Sequence, residues 1–260
     1  MTRPVALTIA GSDPSGGAGI QADLKTFHQF GVYGEAVITL LTVQNTVKVD
    51  AIHVLDPDFV SAQLIAVLED IPPVAAKTGA LGTAAIVERV ASLARDFKFP
   101  LVVDPVMISK HGAPLMAADA CEKLIELLLP ACMLLTPNLH EAAAITGRRV
   151  ETSAEMLDAA KAILDLGAGA VLLKGGHLEG AAMDLLLWPG GKVILFGERI
   201  ETKHTHGTGC SYSAAVAALL AWGKGLEEAV RQAKAWIHSA IATNPGLGHG
   251  NGPVNHFAKT

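Results

Sequence analysis

Cysteine, aromatic residues and charge are all scarce in this chain of 260 residues. It has three cysteines, and aromatic residues make up 5% and charged residues 17% of the sequence. The odd cysteine count and the lack of a C-x-x-C pair exclude a disulfide framework and predict a cytoplasmic protein. The opening MTRPVALTIA has too short an apolar run for a signal peptide, and no run reaches membrane-spanning length.

Positive charge is also in short supply, because the formal net charge is -5 at pH 7. A general nucleic-acid binder needs a basic surface, so this class is excluded. An anionic ligand would have to be held by local donors instead. The ten histidines form neither H-E-x-x-H nor a zinc-finger spacing.

Half of the residues are apolar, and short apolar runs alternate with segments of helical spacing. Strands are predicted at 5–9, 36–43, 52–55, 74–77, 101–104, 133–136 and 170–174, with a hairpin over 183–188 and 193–196. Helices are predicted at 20–30, 57–69, 83–97, 117–129, 138–145, 153–166, 211–222 and 226–241. This pattern predicts one α/β domain over residues 1–260, with a mostly parallel sheet covered by helices on both faces.

Glycines and polar residues collect directly after these predicted strands. The segments are 13–19, 44–45, 77–79, 104, 138–141, 174–176 and 205–210. Because ligands of parallel α/β sheets bind outside the carboxyl ends of the strands, these segments predict one large polar cleft.

The last of these segments, Thr205–Ser211, leads into a run that is apolar on nearly every face, which is typical of a buried helix. The first turn of such a helix can bind an anion, and its glycines allow close approach. Cys210 at this position is expected to have a lowered pKa. The alternative is a glycine-rich helix cap followed by a buried, inert cysteine.

Two nucleotide motifs are rejected. GAGIQA at 17–22 fits G-x-G-x-x-A but begins too far beyond its strand, and the second strand ends in Gln44 where a ribose-binding acid is expected. No G-x-x-x-x-G-K-[ST] exists. A cysteine hydrolase with His206 as base is disfavoured because no orienting Asp or Asn is evident.

Phosphoryl transfer accounts for the polar residues of the predicted cleft better than a cysteine hydrolase does. It needs an anion cradle, a cation with oxygen ligands, a lysine on phosphate and a group near the acceptor hydroxyl. Residues 207–209, the pair Asn138 and Glu141, Lys174 or Lys234, and Cys210 could supply these. Alternatively, Asn138 and Glu141 form a capping box and Lys234 lies on a solvated face.

Seven motifs in order carry a resemblance to a known family: LTIAGSDPSGGAGIQAD at 7–23, QNT at 44–46, DPVM at 104–107, TPNLHEA at 136–142, KGGH at 174–177, THGTGC at 205–210 and GNGPV at 250–254. The chain resembles the hydroxymethylpyrimidine/phosphomethylpyrimidine kinases of thiamine biosynthesis. The resemblance implies the three-layer αβα ribokinase-like fold. It also implies ATP-dependent phosphorylation of 4-amino-5-hydroxymethyl-2-methylpyrimidine, first to the monophosphate and then to the diphosphate.

The resemblance assigns roles to individual residues. It places Gly11, Ala18, Asp23, Gln44 and Val106 at the pyrimidine, Lys174, Thr208 and Lys234 at the nucleotide and its phosphates, and Asn138, Glu141 and Asp104 at Mg²⁺. It makes Gly207, Gly209 and Cys210 the catalytic residues, with Cys210 as proton acceptor and the loop stabilising phosphate charge. In physical terms, Gln44 offers both donor and acceptor to an aminopyrimidine, and Asp23 can accept from its amino group.

One departure from the family pattern bears on the substrate. The family commonly has K-x-G-M after the strand at 74–77, whereas this chain has Lys77-Thr-Gly-Ala80. A roomier acceptor pocket leaves a pyridoxal or pyridoxine kinase of the same fold as the alternative enzyme. A non-catalytic pyrimidine-binding protein is the alternative of another class, and a homodimer is expected from the resemblance.

Overall fold

A computed structural model describes residues 3–176 and 182–259. The strands are β1 (Val5–Ser12), β2 (Tyr33–Gln44), β3 (Val49–Val54), β4 (Ala75–Thr78), β5 (Leu101–Val103), β6 (Leu134–Leu135), β7 (Val171–Gly175), β8 (Ala182–Trp188) and β9 (Gly191–Gly197). The helices are α1 (Gly19–Gln29), α2 (Pro57–Asp70), α3 (Ala84–Ala94), α4 (Ala118–Lys123), α5 (Leu139–Thr146), α6 (Ser153–Asp165), α7 (Thr208–Ala221) and α8 (Leu226–Ala242). His177, the end of the KGGH motif, lies outside the described residues.

These strands form one sheet in the order β3-β2-β1-β4-β5-β6-β7-β8-β9. The run from β2 to β7 is parallel, while β3 pairs antiparallel with β2 and β8 and β9 extend β7 as an antiparallel hairpin. The mostly parallel sheet and the hairpin are therefore confirmed. The strand order was not readable from the sequence.

Alternating residues of the parallel strands enter two separate cores. Leu101 and Val103 of β5 pack into a core shared with α2, α3, α5 and α6. Val102 between them points to the opposite face, where α1, α7 and α8 pack. A strand buried on both faces explains the continuous apolar runs of the sequence. The predicted covering of both faces by helices is confirmed.

Helix α7 lies at the centre of its layer, as its apolar composition predicts. Its residues 211–220 are all buried. It contacts α1 and α8 on its sides and β1, β4 and β5 beneath it. None of the helices in the described ranges is long and apolar enough to span a membrane.

The segment predicted as helical over 117–129 is helical, but it is not an α-helix throughout. Helix α4 ends at Lys123, a π-helical turn follows over Leu124–Leu128, and a 3-10 turn over Leu129–Ala131 ends the segment. Pro130 has no N–H to continue an α-helical ladder. Leu124, Leu128 and Leu129 are all buried in this segment.

A matched pair of substitutions tests how tightly α7 is enclosed. Ala217 in α7 is fully buried, whereas Ala235 in α8 is exposed. We expect Ala217→Leu to lower the free energy of unfolding by about 1–3 kcal/mol, because a filled core must distort to accept three more carbons. Ala235→Leu should change it by less than about 0.5 kcal/mol. Urea unfolding measures both, and equal effects would contradict the central position of α7.

Candidate active site

A cleft of about 1010 Å³ opens at the carboxyl ends of the parallel strands. It is lined by almost all of the residues that the sequence assigns to a site: Gly11, Ala18, Gln44, Asp104, Val106, Asn138, Glu141, Lys174, Gly207, Thr208, Gly209, Cys210 and Lys234. The loops predicted to share one edge of the sheet thus do share one cleft.

The loop before α7 is held in a shape that only glycine allows. Gly207 has φ of 75°, in the left-handed region. A Cβ at Gly207 would lie 1.8 Å from the carbonyl oxygen of Gly17, so a side chain has no room either. The next residue, Thr208, donates its hydroxyl to the Thr205 carbonyl at 2.8 Å. The N-terminus of α7, with N–H groups outside the helical ladder, is therefore brought to the cleft.

Two charged side chains lie beside this helix start. The Lys174 ammonium forms an ion pair with Asp104 at 3.0 Å, and a Cβ on Gly209 would lie 3.2 Å from Lys174 Nζ. Asp104 also accepts a hydrogen bond from Thr136 at 3.1 Å. Burial alone would lower the pKa of Lys174, but the carboxylates of Asp104 and Glu141 raise it. A helix N-terminus and a charged lysine together suit a phosphate group.

Asn138 and Glu141 form the capping box of α5. The Asn138 side chain accepts from the Glu141 N–H at 2.9 Å, and Glu141 accepts from the Asn138 N–H at 2.8 Å. The capping alternative is thus confirmed. Burial raises the pKa of Glu141 to about 7.

The residues expected at Mg²⁺ do not form a direct ligand set in this structure. Within residues 3–176 and 182–259, no cluster of three or more His, Cys, Asp or Glu side chains could hold a metal ion. The Asp104 carboxylate is already paired with the Lys174 ammonium. Asn138, Glu141 and Asp104 nevertheless line the same cleft, and each carries a side-chain oxygen. Such a set fits a Mg²⁺ ion that keeps most of its water ligands and contacts the protein through them.

The expectation of a lowered pKa for Cys210 is wrong. Burial raises the pKa of the Cys210 thiol to about 11, and the neighbouring Lys77 charge and an N–H of Gly19 offset this only in part. The position at a helix N-terminus stabilises a thiolate, but the loss of hydration on burial destabilises the thiolate more. Cys210 is therefore a neutral thiol in this structure.

The assignment of Asp23 to the pyrimidine wall is also corrected. Asp23 is fully buried and does not line the cleft. Its carboxylate pairs with Lys77 at 3.0 Å and accepts the Thr8 hydroxyl at 2.6 Å. Burial alone would lower the pKa of Lys77, but Asp23 and the other acidic groups nearby raise it. Both charges of this pair act on Cys210, Lys77 lowering the pKa of the thiol and Asp23 raising it. The pair has no sequence signal because its partners are 54 residues apart.

Lys234 lies on the cleft wall but is not a free cation. Its ammonium pairs with Asp184 at 2.6 Å, and Asp184 also accepts the Gly175 N–H at 3.1 Å. The alternative of a solvated face is therefore wrong. Asp184 belongs to the hairpin strand β8, which is otherwise apolar, and it lies 50 residues from Lys234, so no local pattern indicates this pairing.

Sequence reasoning missed a buried pair, Asp13 and His206. His206 Nε2 lies 2.8 Å from Asp13 Oδ2, and both side chains are at least 95% buried. Burial alone would raise the pKa of Asp13, but hydrogen bonds from His206 and Ser15 lower it below its usual value. An orienting Asp thus exists for His206. It does not support a cysteine hydrolase, because the imidazole bonds Asp13 and Gln44 rather than Cys210.

Comparison with known proteins agrees with this arrangement. The family model described as "Phosphomethylpyrimidine kinase" matches residues 13–255. The hydroxymethylpyrimidine/phosphomethylpyrimidine kinase of Rhizobium meliloti (strain 1021) is 49% identical over 257 residues, covering 97% of each chain.

Two solved structures share the architecture. The phosphomethylpyrimidine kinase of Clostridium difficile 630 is 42% identical with a TM-score of 0.82, over 92% of this chain and 100% of that one. The pyridoxal kinase of Staphylococcus aureus, solved with AMP-PCP and pyridoxal, is 36% identical with a TM-score of 0.91, over 99% and 95%. From the match over most of the chain, the cleft at the strand ends and the shared fold, we conclude that this chain belongs to the phosphomethylpyrimidine kinase family, has the ribokinase-like fold and is a kinase.

Proposed function

We propose that this protein transfers the γ-phosphoryl group of ATP to 4-amino-5-hydroxymethyl-2-methylpyrimidine, and then a second one to the resulting monophosphate. One observation carries the proposal: a single cleft joins the start of α7, with Lys174 beside it, to a polar wall that includes Gln44. The first region suits phosphate and the second suits a heteroaromatic ring. The proposal includes one domain over residues 1–260, a cytoplasmic location and a homodimer.

The chain's own groups divide the work of binding ATP. The N–H groups at the start of α7 and the Lys174 ammonium stabilise the charge on the γ-phosphoryl oxygens. Mg²⁺, held through water near Asn138, Glu141 and Asp104, would neutralise further phosphate charge when bound. Lys234 lies on the same wall, where Asp184 fixes the position of its ammonium.

Cys210 contacts the acceptor hydroxyl in this scheme. As the bond from that oxygen to the γ-phosphorus forms, the bond from the phosphorus to its leaving oxygen breaks. Because little bond formation is needed before the leaving bond breaks, the hydroxyl proton leaves late. A neutral thiol already carries its proton, so Cys210 orients the hydroxyl without taking up a proton. The hydroxyl proton passes to an oxygen of the transferred phosphoryl group once the new bond has formed.

Substitutions at Cys210 separate orientation from proton removal. We expect Cys210→Ala to lower kcat about 100-fold with little change in KM for the pyrimidine, because the hydroxyl loses its partner. Cys210→Ser restores a hydrogen-bonding group, so its kcat should be only about 10-fold below that of the wild-type protein. Steady-state kinetics at saturating ATP measures both variants. Wild-type turnover in Cys210→Ala would remove this residue from the reaction, and equal losses in both variants would show that a thiolate is required.

The substrate itself is tested by an ADP-release assay with three acceptors at matched concentration. These are hydroxymethylpyrimidine, its monophosphate and pyridoxal. We expect both pyrimidines to be turned over faster than pyridoxal, because the family's motifs surround the ring. Faster turnover of pyridoxal would contradict the proposal. ADP release that no acceptor stimulates would favour the non-catalytic pyrimidine-binding protein.

A pyridoxal kinase remains the second candidate because of Ala80. This residue lines the cleft where the family commonly has methionine, and its carbonyl is fixed by the Thr39 hydroxyl at 2.6 Å. The smaller side chain leaves space for the more heavily substituted pyridoxal ring. Similarity to the S. aureus enzyme supports the same possibility.

Filling this space should narrow the range of substrates. We expect Ala80→Met to lower kcat/KM for pyridoxal at least about 10-fold relative to the pyrimidine, since an extra side chain of this size displaces the larger ring. Ala80→Gly, which adds no bulk, is the matched control and should leave the ratio near that of the unaltered protein. An unchanged ratio in Ala80→Met would show that Ala80 does not determine substrate breadth.

A further inference from the structure

His206 contacts Gln44, a cleft residue whose side-chain amide can exchange its donor and acceptor without a change of shape. The Nε2 atom of Gln44 lies 3.2 Å from His206 Nε2. The same imidazole nitrogen lies 2.8 Å from Asp13 Oδ2. One nitrogen thus faces a carboxylate on one side and a side-chain amide on the other.

The surroundings of Asp13 fix which proton His206 carries. Asp13 accepts hydrogen bonds from the N–H groups of Ser15, Gly17 and Ala18, at 2.9, 3.2 and 2.9 Å. A carboxylate surrounded by donors is ionised and needs a hydrogen on His206 Nε2. The other ring nitrogen, Nδ1, is buried and has no hydrogen-bond partner, so no acceptor in the structure calls for a proton there. The geometry therefore favours a hydrogen on Nε2, where the Asp13 carboxylate accepts it.

A protonated Nε2 cannot accept a hydrogen bond from the Gln44 amide nitrogen. With that nitrogen facing the imidazole, two N–H donors would oppose each other at 3.2 Å. Rotation of the amide by half a turn brings Oε1 to His206 and leaves the shape of the side chain unchanged. The oxygen can then share the Nε2 hydrogen with Asp13, and the NH₂ group is turned away from His206.

We propose that His206, fixed by Asp13, is a positioning residue that makes Gln44 present its NH₂ group, and not its carbonyl oxygen, to the substrate. Gln44 is only partly buried and lines the cleft, so its free amide end is available to a ligand. The site therefore selects a ring with an unprotonated nitrogen at that position. This specificity rests on the proposed function, and it replaces the expectation that Gln44 uses donor and acceptor together.

The tautomer can be tested without any substrate. In protein labelled with ¹⁵N-histidine, the ring signals of His206 are identified by their loss in His206→Gln. We expect a protonated Nε2 and an unprotonated Nδ1 in the wild-type protein at neutral pH. An Nδ1–H tautomer would overturn the proposal, whatever the substrate of the enzyme proves to be.

The consequence for specificity is tested with substrate analogues and a matched pair of variants. The analogues are two hydroxymethylpyrimidine derivatives, each with a different ring nitrogen replaced by C–H, and a third that lacks the amino group. Wild-type protein should lose about 10–100-fold in kcat/KM, mostly through KM, on one of the two C–H analogues, because the bound ring covers the Gln44 NH₂ and leaves it unpaired. His206→Met removes the donor and should reduce this discrimination to within about 3-fold, because the amide can then rotate.

His206→Gln supplies an amide N–H near the position of Nε2 and should restore most of the discrimination. The positioning role would be overturned if His206→Met discriminated between hydroxymethylpyrimidine and the C–H analogue by the same ratio of kcat/KM values as the wild-type protein. So would a wild-type protein that discriminates only against the analogue without the amino group, since that result requires Gln44 to accept. If the wild-type protein turns over none of the pyrimidines, the proposed function fails, and the tautomer is still decided by the ¹⁵N spectrum.

Discussion

The carboxylate of Asp13 is the interaction on which the ring side of the cleft depends. It collects hydrogen bonds from the turn at 15–18 and from His206, which stands almost two hundred residues later in the chain. The turn is thereby held over the loop before α7, where Gly207 passes so close to Gly17 that no side chain fits. These two loops, which line the same cleft, are thereby fixed against each other.

Much of this architecture could be predicted because it depends on local patterns. Continuous apolar runs such as 101–103 indicate strands buried on both faces, and the all-round apolar α7 indicates a central helix. The glycines and polar residues after each strand locate the cleft by a general property of parallel sheets. The π-helical turn at 124–128 was not predicted, because the apolar spacing of this segment does not distinguish a π-helical turn from an α-helical one.

Electrostatic partners were the least predictable part of the site. The pairs Lys77–Asp23 and Lys234–Asp184 join residues 54 and 50 positions apart, and no local pattern marks one member as the partner of the other. Burial by segments that are distant in the sequence also explains why the predicted lowering of the Cys210 pKa was wrong. A helix N-terminus is visible in a sequence, whereas the degree to which other segments exclude water from it is not. Here that exclusion dominates and keeps the thiol neutral.

The contacts of the C-terminal segment have a consequence for the order in which the site is completed. His206 donates its backbone N–H to the Gly252 carbonyl at 3.0 Å, and the Asn251 N–H reaches the Thr46 carbonyl at 2.8 Å, two residues beyond Gln44. Trp236 in α8 holds the same segment by donating to the Ala258 carbonyl at 3.0 Å. A growing chain that has reached only α8 already contains the residues that line the cleft, but it lacks the backbone that secures His206 beside Gln44. The ring-binding half of the site therefore becomes complete only after residues 251–258 have left the ribosome and folded against the site.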